Sequence, residues 1–347
     1  MSTLWRATNW LGDVAMSLPA LKAWRASFPS EPLTVLARPW VADLYRTRPE
    51  VDEVLVEDPA RETRGRAGRA RLVAELRCRN FDRALIFPTS FRSLWSSYRA
   101  AIPERIGHGG DLRNVLLTRV VPSPRPHDEH QIWKHLRLVE AAGAAMPSSP
   151  DSSWDVDDGL VESGRSILEE IGWTGSPYLV AHVASFAHAA KRWDLARFAR
   201  LFDELARRRN LDVVLVGSAS ETAVNAQVRA LAREARILDL SGKSSLPQLL
   251  GVLRSAALFV GNDSGISHLA GAVGIPTTVI FGPTDPDATR PWDGARPDGR
   301  AARIVVLRRR PLCAPCRFAV CPIDHRCMSD IGVLDVLGGI DRSTSIP

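Results

Sequence analysis

Residues 257–281 read ALFVGNDSGISHLAGAVGIPTTVIF. An apolar run over 257–260 halts at Gly-Asn-Asp-Ser-Gly, and apolar residues then return at helical spacing at Leu269, Ala270, Ala272 and Val273. A second apolar run, TTVIF, closes the stretch at 277–281. Strand, polar loop, helix, strand is the repeating unit of a parallel sheet, because parallel neighbours need a long crossover that a helix fills. The polar loop falls between strand and helix, where parallel α/β sheets carry their ligands.

Working outward, the same rhythm recurs. YLVAHV at 178–183, VVLV at 213–216 and the short run at 237–240 predict further strands, with a helix over 194–207. Upstream, strands are expected at 4–8, 33–37, 51–56 and 84–87, with Val14, Leu18, Leu21 and Trp24 on one face of the first helix. The strongly basic segment 61–79 has only a thin apolar face of Leu72, Val73 and Leu76. At 147–158 the pattern gives way to PSSPDSSWDVDD, the composition of a linker. The expected organisation is two Rossmann-like α/β domains, 1–155 and 156–347, with parallel sheets facing a central cleft.

The chain has 347 residues, more than a single core ordinarily supports. Its hydrophobic fraction of 45% and charged fraction of 24% exclude disordered and low-complexity classes. No apolar run reaches the roughly 20 residues of a spanning helix. The first residues, MSTLWR, lack the basic-then-apolar pattern of a secretory signal, so the expected compartment is the cytoplasm. A net charge of +6 favours anionic partners. No aromatic–basic reading element accompanies it, so nucleic acid is not an expected partner.

Four loops carry the candidate chemistry. In Asn9-Trp-Leu-Gly-Asp13, Gly12 allows close approach of a ligand to backbone, and Asp13 reads either as a helix N-cap or as a general base. No G-x-G-x-x-G is present there, so the nicotinamide fingerprint is missing. Lys191 and Arg192 are expected at the head of the helix after YLVAHV, where two cations oppose the macrodipole unless an anion binds. Asp263, Ser264 and Gly265 form a phosphate cradle at a helix start, with His268 one turn on; that histidine reads either as a core residue or as part of the site. Glu221 reads as a ribose-binding acid or as a first-turn acid of a helix.

Taken together, NWLGDVAMSLPALKAWRASFP, FDRALIFPTSFRSLW, AIPERIGHGGDLRNVLL, HQIWKHLRLVEAAG, AKRW, VLVGSASE and GNDSGISHLAGAVGIPTTVIFGPTDP resemble, in order, segments of the ADP-heptose:lipopolysaccharide heptosyltransferases, most nearly the second type. The resemblance implies a GT-B fold and inverting, metal-independent heptose transfer from ADP-heptose, with no cofactor beyond that donor. It implies that Asp13 is the acceptor-side base and that Lys191 neutralises the diphosphate. Asp263, Ser264, Gly265 and His268 then match a D-[ST]-G-x-x-H donor loop, Glu221 the ribose acid, and Ser185 a phosphate contact. Ser90, Arg92, Arg113 and His130 fall in segments that resemble acceptor-lining ones. Such an acceptor is a phosphorylated glycolipid of the lipopolysaccharide inner core, which implies peripheral contact with the inner membrane.

The sequence departs from the family at 182–190, HVASFAHAA, which has two histidines and no glycine where small residues are usual. That loop leaves room for a related transferase with another nucleotide sugar or a non-lipid acceptor. A catalytically silent nucleotide-sugar binder is a further alternative. The tail CAPCRFAVCPIDHRCM, which resembles the ending of many second-type members, spaces Cys313, Cys316, Cys321 and Cys327 so that they read either as a structural zinc site, with His325 nearby, or as plain thiols. No metal is expected in the reaction.

Overall fold

A computed structural model describes residues 1–123, 129–185, 189–294, 303–316 and 318–344. It divides into two compact units, Met1–Asp151 and Ser152–Pro347. The division falls inside the Pro/Ser/Asp-rich stretch. Trp154 belongs with the second unit: its backbone N–H donates to the Ala272 carbonyl at 2.8 Å, and its ring is buried.

The first unit is built from β1 (Thr3–Arg6), β2 (Leu33–Ala37), β3 (Glu53–Val56), β4 (Arg83–Ile86), β5 (Glu104–His108) and β6 (Arg119–Val121). Its helices are α1 (Leu11–Ser27), α2 (Pro39–Arg46), α3 (Gly65–Cys78), α4 (Phe91–Arg99) and α5 (Gln131–Ala141), with a 3₁₀ turn at Asp111–Leu116. The sheet order is β3-β2-β1-β4-β5-β6, every pairing parallel. β1, β2 and β4 are buried on both faces, as helix-covered parallel strands must be, and this is why their sequences are near-continuous apolar runs. The basic segment folds as α3, which buries only Leu72, Leu76 and Gly68 and leaves its arginines in water.

The second unit repeats the plan. It opens with α6 (Asp158–Glu170) and continues through β7 (Tyr178–His182), α7 (Leu195–Arg209), β8 (Asp212–Leu215), α8 (Thr222–Leu231), β9 (Ile237–Asp239) and α9 (Leu246–Ser255). β10 (Leu258–Asn262), α10 (Gly265–Val273), β11 (Thr277–Phe281), α11 (Pro286–Thr289), β12 (Ile304–Arg308), α12 (Arg326–Ser329) and α13 (Val333–Thr344) complete it. The order β12-β11-β10-β7-β8-β9 is again all parallel and is the same winding as in the first unit, read from the other edge. In both sheets the strand order reverses beside the first strand, so the loops after β1 and β4, and after β7 and β10, open at a switch point. Around β7 the core gathers Phe198, Leu201, Phe202 and Leu205 from one face of α7 with Val213, Leu258 and Val260. α7 starts cleanly because the Asp194 carboxylate accepts from the Arg197 N–H at 2.9 Å, and it ends at Asn210 in the left-handed region.

Three expectations change. Lys191 and Arg192 do not head α7: Lys191 closes a separate 3₁₀ turn, Ala189–Lys191, and the helix begins three residues beyond Arg192 under its own aspartate cap. Gly12 and Asp13 are not in a loop but in the first turn of α1, whose N-cap is Trp10, so Asp13 is not the cap. β5, β6 and β12 are strands where the charged runs ERIGH, RVV and IVVLR had not been read as such.

α6 and α9 meet backbone to backbone. A Cβ on Gly251 would lie 1.9 Å from the Leu160 carbonyl oxygen, and one on Gly164 would lie 2.5 Å from the Val252 nitrogen. Neither neighbour is a flexible side-chain tip, so the helices must part. Gly251→Ala is expected to cost about 1–3 kcal/mol despite the better helix propensity of alanine, read as a fall in Tm. An unchanged Tm would mean that the helices do not pack this closely.

Candidate active site

The first unit places a carboxylate at its switch point. A four-residue link, 7–10, joins β1 to α1, and Asp13 occupies the third helical position, partly buried. A carboxylate in a first helical turn is normally stabilised as the anion. Here burial outweighs this and pushes the Asp13 pKa up to about 6, with Lys134 pulling the other way. Gln131 Nε2 donates to Asp13 Oδ1 at 3.2 Å. Gln131 and Lys134 project from the first turn of α5, three residues apart and therefore on one face. Neither had been singled out from the sequence, although the run HQIWK carries them.

Arg113 is buried, at 3% exposure, and is not a solvated surface cation. Its Nη1 donates to the Pro88 carbonyl at 3.0 Å, while Nε and Nη2 have no hydrogen-bond partner. Burial lowers its pKa, and burial also lowers that of Lys134, with Asp13 opposing and Arg113 adding to the effect. A buried guanidinium with unmade donors, near a second cation, is suited to an anionic ligand group. Ser90 caps α4, its Oγ accepting from the Ser93 N–H at 3.3 Å, and His130 caps α5 through Nδ1 from the Ile132 N–H at 3.3 Å. Arg92 is exposed on α4.

The second unit gathers the other predicted residues. Lys191 Nζ donates to Asp263 Oδ2 at 2.7 Å, and Thr284 Oγ1 donates to the same oxygen at 2.7 Å. Thr284 is a member of this cluster that the sequence reading missed. Asn262 is a second, fully buried one: its Oδ1 accepts from the Trp193 N–H at 3.0 Å, and its Nδ2 donates to the Val183 carbonyl at 2.9 Å. One side chain thereby ties the loop leaving β7 to the turn that presents Lys191. That turn is braced again from the Cys-rich segment. The Ala190 N–H donates to the Ala319 carbonyl at 3.0 Å, and the Ala190 carbonyl lies 2.6 Å from His325 Nε2.

Ser264 is the N-cap of α10, but its side chain makes no capping bond, and its buried Oγ has no hydrogen-bond partner. Gly265 begins the helix, so hydroxyl and first-turn N–H groups converge where a phosphate oxygen can sit. His268 is buried one turn in. Ser185 lies partly exposed just after β7, and residues 186–188 of the altered loop are outside the described residues.

Glu221 ends a 3₁₀ turn, Ala219–Glu221, and completes a capping box: its Oε2 accepts from the Ser218 N–H at 2.8 Å and from the Ser218 hydroxyl at 2.9 Å. Its Oε1 lies 3.3 Å from His182 Nε2. Burial alone would raise its pKa, but His182 and the Ser218 donors hold it at about 2. Glu221 is thus charged at neutral pH, with His182, the last residue of β7, beside it.

Of the four clustered cysteines, Cys313 is exposed and Cys327 buried. Burial, with the three neighbouring thiols, pushes Cys327 up to about 11. Among the described residues, no three His, Cys, Asp or Glu side chains are grouped as metal ligands. Likewise, among the described residues no helix is long and apolar enough to cross a membrane.

Two parallel α/β units of the same winding, one with a partly buried carboxylate at its switch point and the other with a lysine and an open helix N-terminus, have the GT-B-like architecture of glycosyltransferases. The chain belongs to glycosyltransferase family 9 (heptosyltransferase), whose model matches residues 69–323. It is 27% identical over 307 residues to lipopolysaccharide heptosyltransferase 2 of Salmonella typhimurium, covering 86% of each chain. The Escherichia coli enzyme of the same name is 27% identical over 312 residues, again with 86% of each chain covered. In fold it matches the structure of the E. coli ADP-heptose LPS heptosyltransferase II, with a TM-score of 0.83 at 24% identity over 99% of this chain and 98% of that one. An E. coli heptosyltransferase solved with ADP matches with a TM-score of 0.72 at 20% identity, covering 99% and 100%.

Proposed function

We propose that this chain transfers heptose from ADP-heptose, with inversion, to a phosphorylated inner-core glycolipid of the heptosyl-Kdo-lipid A type. The observation that carries the reading is Asp13: a carboxylate at a switch point whose pKa, near 6, suits the acceptance of a hydroxyl proton at neutral pH. The names of the curated relatives and the family membership support the sugar and the acceptor class.

In this reading an acceptor hydroxyl gives its proton to Asp13 as its oxygen attacks the anomeric carbon. The bond from that carbon to the ADP oxygen breaks, and the electron pair leaves on the β-phosphate. Lys191 meets the growing charge. An ammonium has three donors, so Lys191 can keep Asp263 and still reach a phosphate oxygen. Ser264 and the head of α10 take the remaining phosphate oxygens, with Asp263, Gly265 and His268 shaping the donor loop, Ser185 as a further phosphate contact and Glu221 reaching the ribose. Gly12 gives the ligand access to the backbone. Arg113 receives an anionic group of the acceptor, with Arg92, Ser90 and His130 as further acceptor contacts. No cofactor besides the donor is called on. The protein then works in the cytoplasm, at the inner face of the membrane that carries its glycolipid.

The altered segment 182–190 favours one runner-up, a transferase of the same class using another nucleotide sugar. The test is transfer from ADP-heptose to a heptosyl-Kdo-lipid A acceptor, with the product's anomeric configuration read by NMR. An inverted product is expected. Retention would overturn the single-displacement mechanism, and turnover with a different nucleotide sugar alone would overturn the donor.

A further inference from the structure

Helix α4 is amphipathic the wrong way round. Its inward positions are Ser93, Leu94 and Ser97, all buried. Its outward positions are Phe91, Trp95 and Tyr98, which are 46%, 39% and 42% exposed. These recur at i, i+4 and i+7 and so form one stripe; successive rings are 5.8 Å apart. The 3₁₀ turn packed against α4 adds two more exposed apolar side chains, Leu112 and Val115, at 78% and 79%. Neither hydrophobic burial nor helix propensity explains two serines inside and three aromatic rings outside. A contiguous exposed patch of this kind marks a contact surface.

Its charge identifies what it contacts. The Arg99 guanidinium lies 5.8 Å from the Trp95 ring centroid, and that of Arg105 lies 5.6 Å from the Tyr98 ring. α3 packs beside α4, with Arg77 donating to the Arg99 carbonyl at 2.7 Å, and it carries Arg66, Arg69 and Arg71 exposed to water. Residues 61–119 hold 13 Arg against 5 Asp and Glu. Aromatic rings with guanidinium groups over them suit the boundary between acyl chains and anionic headgroups.

We propose that the α4 stripe, with Leu112, Val115 and the arginines of α3, docks this protein on the surface of an anionic phospholipid bilayer. The inference extends the glycolipid-acceptor reading but rests on this surface alone, so the two can fail separately.

The test is cosedimentation of the full chain with phosphatidylcholine vesicles, with and without phosphatidylglycerol and free of any acceptor. Binding is expected only with phosphatidylglycerol, and it should weaken as salt is raised. Trp95→Ser/Tyr98→Ser is expected to lower the partition coefficient about tenfold or more. Arg66→Glu/Arg69→Glu, at exposed positions that keep the fold intact, is expected to lower it by about the same factor. Transfer to a deacylated, water-soluble acceptor should be unchanged in both. Wild-type protein that ignores the vesicles, or a charge-reversed variant that binds as well as wild type, overturns the proposal. So does a concentration-dependent dimer that the serine variant abolishes, because the stripe would then be the seat of a second copy.

Discussion

Asp13→Asn is expected to lower kcat by about 10²–10⁴, the usual contribution of a positioned base, while KM for the donor stays within a few-fold. The amide keeps the shape and the Gln131 contact but cannot accept the acceptor's proton. The same change tests the electrostatics. In the unfolded chain the carboxyl titrates at its ordinary value of 3.8, and in the fold burial moves it to about 6. The fold therefore disfavours the charged form. The destabilisation is absent below the unfolded value, grows between the two and is complete above about 6. Wild type should lose activity as pH falls through about 6, since the base is then protonated. Asp13→Asn should be more stable than wild type at pH 8 by about 1–2 kcal/mol, the partial exposure of the group discounting the full shift, and no more stable at pH 4. A variant that retains activity would remove Asp13 from the role of base, and one that gains no stability at pH 8 would mean that burial does not raise its pKa.

Lys191→Met is expected to reduce kcat/KM by about 10²–10³, the cost of one missing charge partner for a developing anion. The loss has a second part. Asp263 is 6% exposed and would keep only Thr284 as a donor, so a buried carboxylate loses its counter-charge. Lys191→Met/Asp263→Asn separates the two, since the neutral pair restores electrostatic balance without a cation for the diphosphate. The double variant should regain thermal stability but not turnover. Recovery of turnover would show that the lysine serves the fold and not the leaving group.

The strands β1, β2, β4, β7, β8, β10 and β11 were legible because each is buried on both faces and must be written as an apolar run. β5, β6 and β12 escaped because ERIGH, RVV and IVVLR end in arginine or histidine or begin with charge, and polar ends break the run that identifies a strand. Loops after β1, β7 and β10 could be picked out by position, since ligands in parallel α/β sheets sit beyond the carboxyl ends of the strands. What the loops do locally could not. The spacing of AKRWD allows both a helix head and a turn before a capped helix, and the capping bond of Asp194 decides for the second. Arg113 looked like any other arginine in an arginine-rich chain. Its burial is a tertiary fact: its guanidinium packs against Gly107, where an added Cβ would stand 3.1 Å from Arg113 Nη2.

The turn carrying Lys191 is fastened by Ala190, whose carbonyl partner His325 lies 135 residues further along the chain. A ribosome adding about 5–20 residues per second needs about 7–27 s to cover that distance. For that interval a nascent chain can already have paired β7 with β8 and then β10, while its lysine turn still lacks the brace from the Cys-rich segment. The lysine turn is thus braced only after the strands that support it have been made.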